Sequence, residues 1–255
     1  MGSQYKRVKT AENIFTIIET IAALDQPTCS ELAEHVDLSI SSVYNYLKTL
    51  ENGGFVIENG GRYRLSLKFL QLGREIRNSY PIMHAAVEPV DILAKAIDEY
   101  ISVFVREGEK AVMVYEANSH HAVQVPTPFL GEPFHLARTP QGKVILAHMP
   151  DTYKRKITTL SSDEPIDEEL KAELETIRAE GVWIDSGQTH EKIWAVAAPV
   201  EADGEIHGSL MISTVRHRIT DQRAKEELPA MLDQTVREVE HRLSQYNFAN
   251  LSSPW

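Results

Sequence analysis

Between positions 28 and 65 the chain carries three signals in close succession, and together they leave few folds open. The first is a helix start. Thr28 stands three residues before Glu31 and just ahead of Leu32 and Val36, the capping-box spacing in which a hydroxyl and a carboxylate satisfy backbone donors that a helix start leaves unpaired. The second is a short break, Val36-Asp37-Leu38, followed by Ser39, which offers another N-cap hydroxyl. In a helix running from Ser39 to Glu51, Val43, Leu47 and Leu50 fall on one face with Tyr46 beside it. Ser41, Tyr44, Asn45 and Lys48 fall on the other, at about 100° per residue. The third signal is Asn59-Gly60-Gly61, a hairpin turn between Val56-Ile57 and Tyr63-Arg64-Leu65. Two short helices followed by a hairpin read as a winged helix-turn-helix, an element that binds double-stranded DNA.

The outward face of the second helix carries small hydroxyls, a phenol, an amide and one ammonium, groups suited to base edges and phosphates. Tyr44 and Asn45 are the candidates for base contact. Ser39, Ser41 and Ser42 at the helix start, and Lys48 further along, are candidates for phosphate contact. On the wing, Arg62 and Arg64 flank Tyr63, so both guanidinium groups share one face of the ribbon; all three are candidate DNA contacts. Ile14, Ile17, Ile18 and Ile21 form the stripe of a supporting helix over 10–24.

The net charge of −11 looks wrong for a nucleic-acid binder until it is divided. Residues 1–77 hold nine basic and nine acidic residues, and the remaining 178 hold 17 and 28, so all the excess acid lies outside the winged element. A neutral DNA-binding domain depends on dimerisation and a few placed cations. The acidic remainder also fits solvation in a high-salt cytoplasm, as in halophile proteins.

The rest of the chain divides after the wing. Residues 67–79 are helical in pattern (Leu67, Leu70, Gln71, Ile76) and lead to Tyr80-Pro81, which sets the expected organisation: a DNA-binding domain over 1–66, a linker helix over 67–80 and a second domain over 81–255. In the second domain a helix is expected over 84–100, with Pro89 opening its second half or kinking it. Strands are expected at 101–105, 111–115, 122–125, 194–200 and 206–214, with a loop over 126–134 and another over 163–166. Thr139-Pro140 caps a helix over 141–148, Gly181 stops one over 167–180, and Thr220 caps the last, to about 243. The tail, 244–255, is expected to fray or pack on a partner. The fold class is α+β with antiparallel hairpins and helices at both ends.

Catalytic signatures are missing. There is no Gly-x-Ser-x-Gly elbow, phosphate-binding glycine loop or Gly-x-Gly-x-x-Gly, and Glu168-Glu169 read as solvation on an exposed helix, so no catalytic residue, cofactor or enzyme activity is expected. Ten histidines include His120-His121, but no metal-ligand spacing occurs. The lone Cys29 cannot form an internal disulfide, residues 1–6 lack the apolar core of a signal peptide, and no apolar run approaches a membrane span; a cytoplasmic protein is expected.

The order of motifs resembles the IclR family of transcription regulators over nearly the whole chain. Ser30-Glu-Leu-Ala33, Ser41-Ser-Val43, Leu47-Lys-Thr-Leu50, Gly54-Phe-Val56 and Tyr63-Arg-Leu65 carry the resemblance in the first part. Pro133-Phe-His-Leu-Ala-Arg-Thr-Pro-Gln-Gly-Lys143, Gly181-Val-Trp-Ile-Asp185, Ala197-Ala-Pro-Val200 and Ser209-Leu-Met-Ile-Ser213 carry it in the second. The resemblance implies a winged helix domain, a linker helix and a GAF/PAS-like α+β effector domain with an antiparallel sheet, which binds a small organic effector. It also implies homodimers and often tetramers; two winged domains in a dimer would place their second helices in successive major grooves of a pseudo-palindromic operator. The effector residues it implies are His135, Ala137, Thr139, Gly142, Lys143, Asp185, Trp194, Ala195, Ala197, Ser209, Met211 and Ser213. Of these, the helix start at 139–143 offers free backbone amides suited to a carboxylate, and Gly142 allows close approach. Ser209, Met211 and Ser213 alternate onto one strand face, and Trp194 fills volume in the pocket. Two positions depart from the family pattern: Pro140-Gln141 replaces a frequent Ala-Leu, and Ala195 a common cysteine. The alternatives are a metabolite-binding, enzyme-like module and a regulator without a small ligand.

Overall fold

The computed structural model describes residues 7–119, 130–152 and 168–245. The expected strand at 122–125, the histidine pair at 120–121, residues 126–129 of the 126–134 loop, the 163–166 loop and the tail beyond 245 lie outside the described residues. The chain forms two compact units, residues 1–76 and 77–255. Among the described residues no helix is long and apolar enough to cross a membrane.

In the first unit α1 spans Lys9–Ala23, α2 Cys29–Val36 and α3 Ile40–Asn52. The capping box at α2 is complete: the Thr28 hydroxyl accepts from the Glu31 N–H at 3.3 Å, and the Glu31 carboxylate accepts from the Thr28 N–H at 2.7 Å. Asp37 takes the left-handed conformation at φ 51° that reverses the chain, and Ser39 caps α3 by accepting from the Ser42 N–H. Ile17 and Ile21 from α1, Leu32 and Ala33 from α2, and Val43, Leu47 and Leu50 from α3 make one buried core with Val56 and Tyr63 from the wing. The wing strands are β1, Val56–Asn59, and β2, Arg62–Leu65. Gly60 and Gly61 both have positive φ, 61° and 79°, as a two-residue turn requires if it is to match the strand twist. The Tyr63 N–H donates to the Pro27 carbonyl at 2.9 Å, which ties the wing to the start of α2. Helix α4 spans Lys68–Ser79, as the 67–79 pattern anticipates.

The second unit is a six-stranded antiparallel sheet in the order β5-β4-β3-β8-β7-β6. Its strands are β3 (Tyr100–Glu107), β4 (Lys110–Ala117), β5 (Pro133–His135), β6 (Trp183–Asp185), β7 (Ile193–Ala202) and β8 (Glu205–Val215). Helix α5, Pro81–Ile97, and the final helix α8, Leu228–Gln245, cover one face. Helices α6, Pro140–His148, and α7, Glu168–Glu180, cover the other.

Four features differ from expectation. Helix α5 begins at Pro81 rather than His84, because proline with its fixed φ suits a first helical position. It ends before Asp98, whose φ of 63° turns the chain, so Tyr100 opens β3 instead of closing the helix. Pro89 sits inside α5. Residues 133–135, expected in a loop, pair with β4 as an edge strand, and 183–185 pair with β7 as the other edge. Strands of three residues carry too little alternation to be read from sequence.

Gly208 lets β8 approach β3. A Cβ there would lie 2.2 Å from the Phe104 carbonyl oxygen and 3.1 Å from Ile82 Cδ1. Gly208→Ala is therefore expected to destabilise the second unit by about 2–3 kcal/mol, read as a lower urea midpoint; a midpoint equal to the parent's would contradict this packing.

Candidate functional site

Helix α3 meets the requirements of a recognition helix. Its inward face is locked by Val43 and Leu47, both fully buried, and by Leu50. Its outward face leaves Ser41, Tyr44 and Asn45 exposed. The three serines at its start form a local cluster, with Ser39 Oγ 3.1 Å from Ser41 Oγ and 2.8 Å from Ser42 Oγ. Lys48 is less available than its sequence position suggests: its ammonium donates to Glu51 at 2.7 Å and lies 5.6 Å from the Tyr44 ring centroid. That hydrogen bond to Glu51 holds the lysine above its ordinary pKa, hence charged.

The wing separates its three candidates. Tyr63 is 5% exposed and belongs to the core, so it is turned away from any nucleic acid; this corrects the sequence-based expectation. The alternation that puts Arg62 and Arg64 on one face forces Tyr63 onto the other. Arg62 is exposed but donates to the Gln26 carbonyl at 2.8 Å and stands 3.8 Å from the Glu31 carboxylate, so it also ties the wing to α2. Among the described residues Arg64 makes a 3.4 Å hydrogen bond to the neighbouring Leu65 carbonyl. Cys29 donates to the Ile40 carbonyl at 3.5 Å, and burial pushes its thiol pKa up, the opposite of what a reactive thiolate needs.

In the second unit the sheet register decides which residues meet. Directly opposed residues share a face, so three rows run beneath α6. The first is Tyr100, Ser213, Ala195 and Asp185, across β3, β8, β7 and β6. The second is Glu116, Ser102, Met211, Ala197 and Trp183; the third is Met113, Phe104, Ser209 and Pro199. Six of the expected effector residues, Asp185, Ala195, Ala197, Ser209, Met211 and Ser213, thus lie on one face. Trp194 does not join them. It pairs with Thr214 and packs with Val196 and Ala198 in the core under α5 and α8. The expectation that it fills the pocket is corrected by the two-residue period of the strand.

The polar groups on this face are partly engaged. Asp185 accepts the N–H groups of Gly187, Gln188 and Thr189 at 2.8, 2.6 and 3.0 Å and so pins the 186–189 loop. The Tyr100 hydroxyl donates to Glu116, and burial pushes its phenol pKa far up, so it stays protonated. The Ser209 hydroxyl donates to the Gln141 carbonyl at 3.1 Å, which fixes the start of α6 on the sheet.

That helix start is more enclosed than expected. Pro140, Gln141 and Gly142 are buried. A Cβ on Gly142 would lie 2.6 Å from Leu136 Cα and 2.7 Å from the His135 carbonyl oxygen; the close approach that requires glycine is thus to the protein's own backbone. Thr139 does not cap the helix with its side chain; its hydroxyl donates to the His135 carbonyl at 3.0 Å. The Ala137 N–H donates to His135 Nδ1 at 3.3 Å. Lys143 pairs with Glu173 of α7 at 2.6 Å and lies 5.1 Å from the Trp183 ring centroid. Among the described residues no group of three histidine, cysteine or acidic side chains is placed to hold a metal ion. Tyr100, Ser102 and Glu116 were not singled out from the sequence, because only the β3–β8 register brings them to this face.

Comparison with known proteins agrees across both units. The IclR helix-turn-helix domain matches residues 10–60, and the bacterial transcriptional regulator IclR C-terminal domain matches residues 75–241. The HTH-type transcriptional regulator KdgR of Escherichia coli K12 is 24% identical, covering 97% of this chain and 97% of its own. A crystal structure of the Thermotoga maritima IclR superposes with a TM-score of 0.78 at 24% identity, covering 93% of this chain and all of that one. An IclR homolog from Microbacterium hydrocarbonoxydans, solved with 4-hydroxybenzoate, has a TM-score of 0.75 at 14% identity over 92% of this chain and 98% of its own.

The wing arginines are expected to separate under mutation. Arg62→Ala should lower the stability of the winged unit by about 1 kcal/mol through the lost Gln26 bond. Arg64→Ala should leave stability within about 0.5 kcal/mol and reduce the slope of DNA affinity against salt by about one ion. Chemical unfolding and a salt titration of binding check both, and an unchanged slope for Arg64→Ala would remove it from the interface.

Proposed function

Because the chain belongs to the IclR family of DNA-binding transcription regulators, we propose that it reads a pseudo-palindromic operator as a homodimer and that a small organic metabolite controls its occupancy. The observation that carries this reading is α3: a helix locked from behind by buried Val43 and Leu47, presenting exposed Ser41, Tyr44 and Asn45 outward. Tyr44 and Asn45 contact bases in the major groove, the α3 serines and Lys48 approach phosphates, and Arg64, with Arg62, reaches the backbone beside them. A neutral winged unit with locally paired cations binds weakly alone, and pairing two half-sites about one helical turn apart supplies the missing affinity. Phe15 on α1, and Leu70 and Ile76 on α4, are apolar and more than half exposed, at 63%, 68% and 57%, which suits burial against a second copy.

The effector occupies the α6-side face of the second unit, where Asp185, Ala195, Ala197, Met211 and Ser213 meet. The fold likeness to the Microbacterium homolog, which holds 4-hydroxybenzoate, supports a small organic ligand within this architecture. The ligand shifts the protein between two arrangements of its winged domains through the linker helix, and it does so only as far as its affinity for the two differs. The protein acts in the cytoplasm as a regulator rather than an enzyme.

Asn45→Ala tests the recognition helix. Affinity for the fragment upstream of the protein's own gene should fall roughly tenfold or more, the loss of one good base contact, while non-specific binding and the dimer are retained. Unchanged affinity for that fragment would remove α3 from the base-reading role.

A further inference from the structure

The excess acid of the second unit is unevenly spread, and one corner of its sheet is basic. Strands β7 and β8 pair from Ile193 and Val215 onward, and the Arg216 N–H donates to the Lys192 carbonyl at 2.9 Å. The segments 186–192 and 216–218 therefore lie side by side. Lys192, Arg216 and Arg218 are exposed there, and Glu191 is the single acid of the two segments. A Cβ on Gly187, whose φ is 105°, would lie 3.0 Å from Arg216 Nη1 and 3.0 Å from the Glu191 carbonyl oxygen, so the guanidinium rests against the 187–191 loop. Among the described residues Lys192, Arg216 and Arg218 take part in no ion pair.

Helix α7 has the opposite character. It buries Leu174 and Ile177, and exposed Ala172 and Ala179 sit at the centre of its outward face. At about 100° per residue, Glu168 and Glu175 flank the alanines on one side and Glu169 and Glu180 on the other. The cations on and against this helix are engaged locally: Lys171 with Glu168, Lys143 with Glu173, and Arg178 with the Ala147 carbonyl and Asp151. Glu169, Glu175 and Glu180 are exposed and, among the described residues, take part in no ion pair. Short alanines between the carboxylates leave room for long basic side chains to lie along the helix.

Two opposite surfaces on one unit are complementary between copies: in a two-fold pairing the corner of each copy faces α7 of the other. DNA is a poorer match for the corner, because residues 78–255 carry 17 basic and 28 acidic residues and the unit as a whole is repelled by a polyanion. We propose that a second copy of this chain docks here, with Lys192, Arg216 and Arg218 of each copy set against the acidic face of the partner's α7. This contact is separate from the α1 and α4 surface assigned above to the dimer, and it depends on neither the operator nor the effector reading. Together the two contacts join dimers into tetramers. Exposed ion pairs contribute little each, so the association is weak, concentration-dependent and sensitive to salt.

Sedimentation velocity of the full chain over a concentration series reads the assembly. The largest species should halve in mass between about 0.1 M and about 1 M sodium chloride, as the screening length falls from ~10 Å to ~3 Å. The variants K192E/R216E/R218E and E169K/E175K/E180K should each lose the doubling at the lower salt, with association weakened about tenfold or more. The first variant is acidic on both surfaces and the second basic on both, so an equimolar mixture should recover the doubling that neither shows alone. That recovery also shows that both variants are folded. A parent of equal mass at both salts, an unchanged mass in either variant, or a mixture that does not recover the doubling overturns the proposal. Weaker DNA binding by K192E/R216E/R218E with its assembly unchanged overturns it too, and assigns the corner to nucleic acid.

Discussion

The two-residue period of the antiparallel sheet governs what the second unit can do. Once β3, β7 and β8 are in register, every side chain on them is committed to one of two layers. Ile101, Val103, Val196, Ala198, Leu210 and Ile212 go to the core beneath α5 and α8. Tyr100, Ser102, Ala195, Ala197, Met211 and Ser213 go to the α6 side. The two faces differ in chemistry. The first is almost wholly aliphatic and supplies cohesion. The second packs Phe104, Met113, Ala195, Ala197 and Met211 against α6 and α7, and sets serines and a tyrosine–carboxylate pair among them. Gly208 and the Ser209–Gln141 bond hold this register and the helix above it.

The winged unit obeys a different constraint. Its charges cancel, and several of its cations serve the fold first: Arg62 with Gln26 and Glu31, Lys48 with Glu51, Lys68 with the Gly53 carbonyl at 2.8 Å. Exposed ion pairs of this kind add little stability, but they orient the side chains and reduce their reach. On the proposed reading, shape and hydrogen bonding from α3 matter more than bulk charge, and discrimination among sequences gains at the expense of non-specific affinity.

Much of this was legible in the residues. The Thr28–Glu31 capping box, the Ser39 cap, the isoleucine stripe of α1 and the Asn59-Gly60-Gly61 turn are local signals, and local geometry follows from them. Burial of Val43, Leu47 and Leu50 followed directly from helical spacing. What escaped depended on pairing between distant segments. Trp194 reads as a pocket residue in the sequence but packs under α5 and α8, because alternation fixes which residues share a face, not which face meets which layer. Tyr63 lies between two candidate arginines in the sequence, and strand alternation turns it away from both into the core. Ser102, Tyr100 and Glu116 joined the site only through pairings of β3 with β4 and β8. The α6 start seemed open to a ligand because sequence cannot show that Leu136 and His135 fold back over Gly142.

The two units together describe a member of a family of DNA-binding regulators, with the reading of a metabolite proposed for its second unit. The reading of DNA is the premise on which the rest stands, and in vitro selection tests it directly. The full chain is presented with a pool of random duplexes at physiological salt, and the retained sequences are read. The account requires enrichment of an inverted repeat whose half-sites are spaced by about one helical turn or a multiple of it. A retained pool indistinguishable in sequence from the starting pool would contradict it.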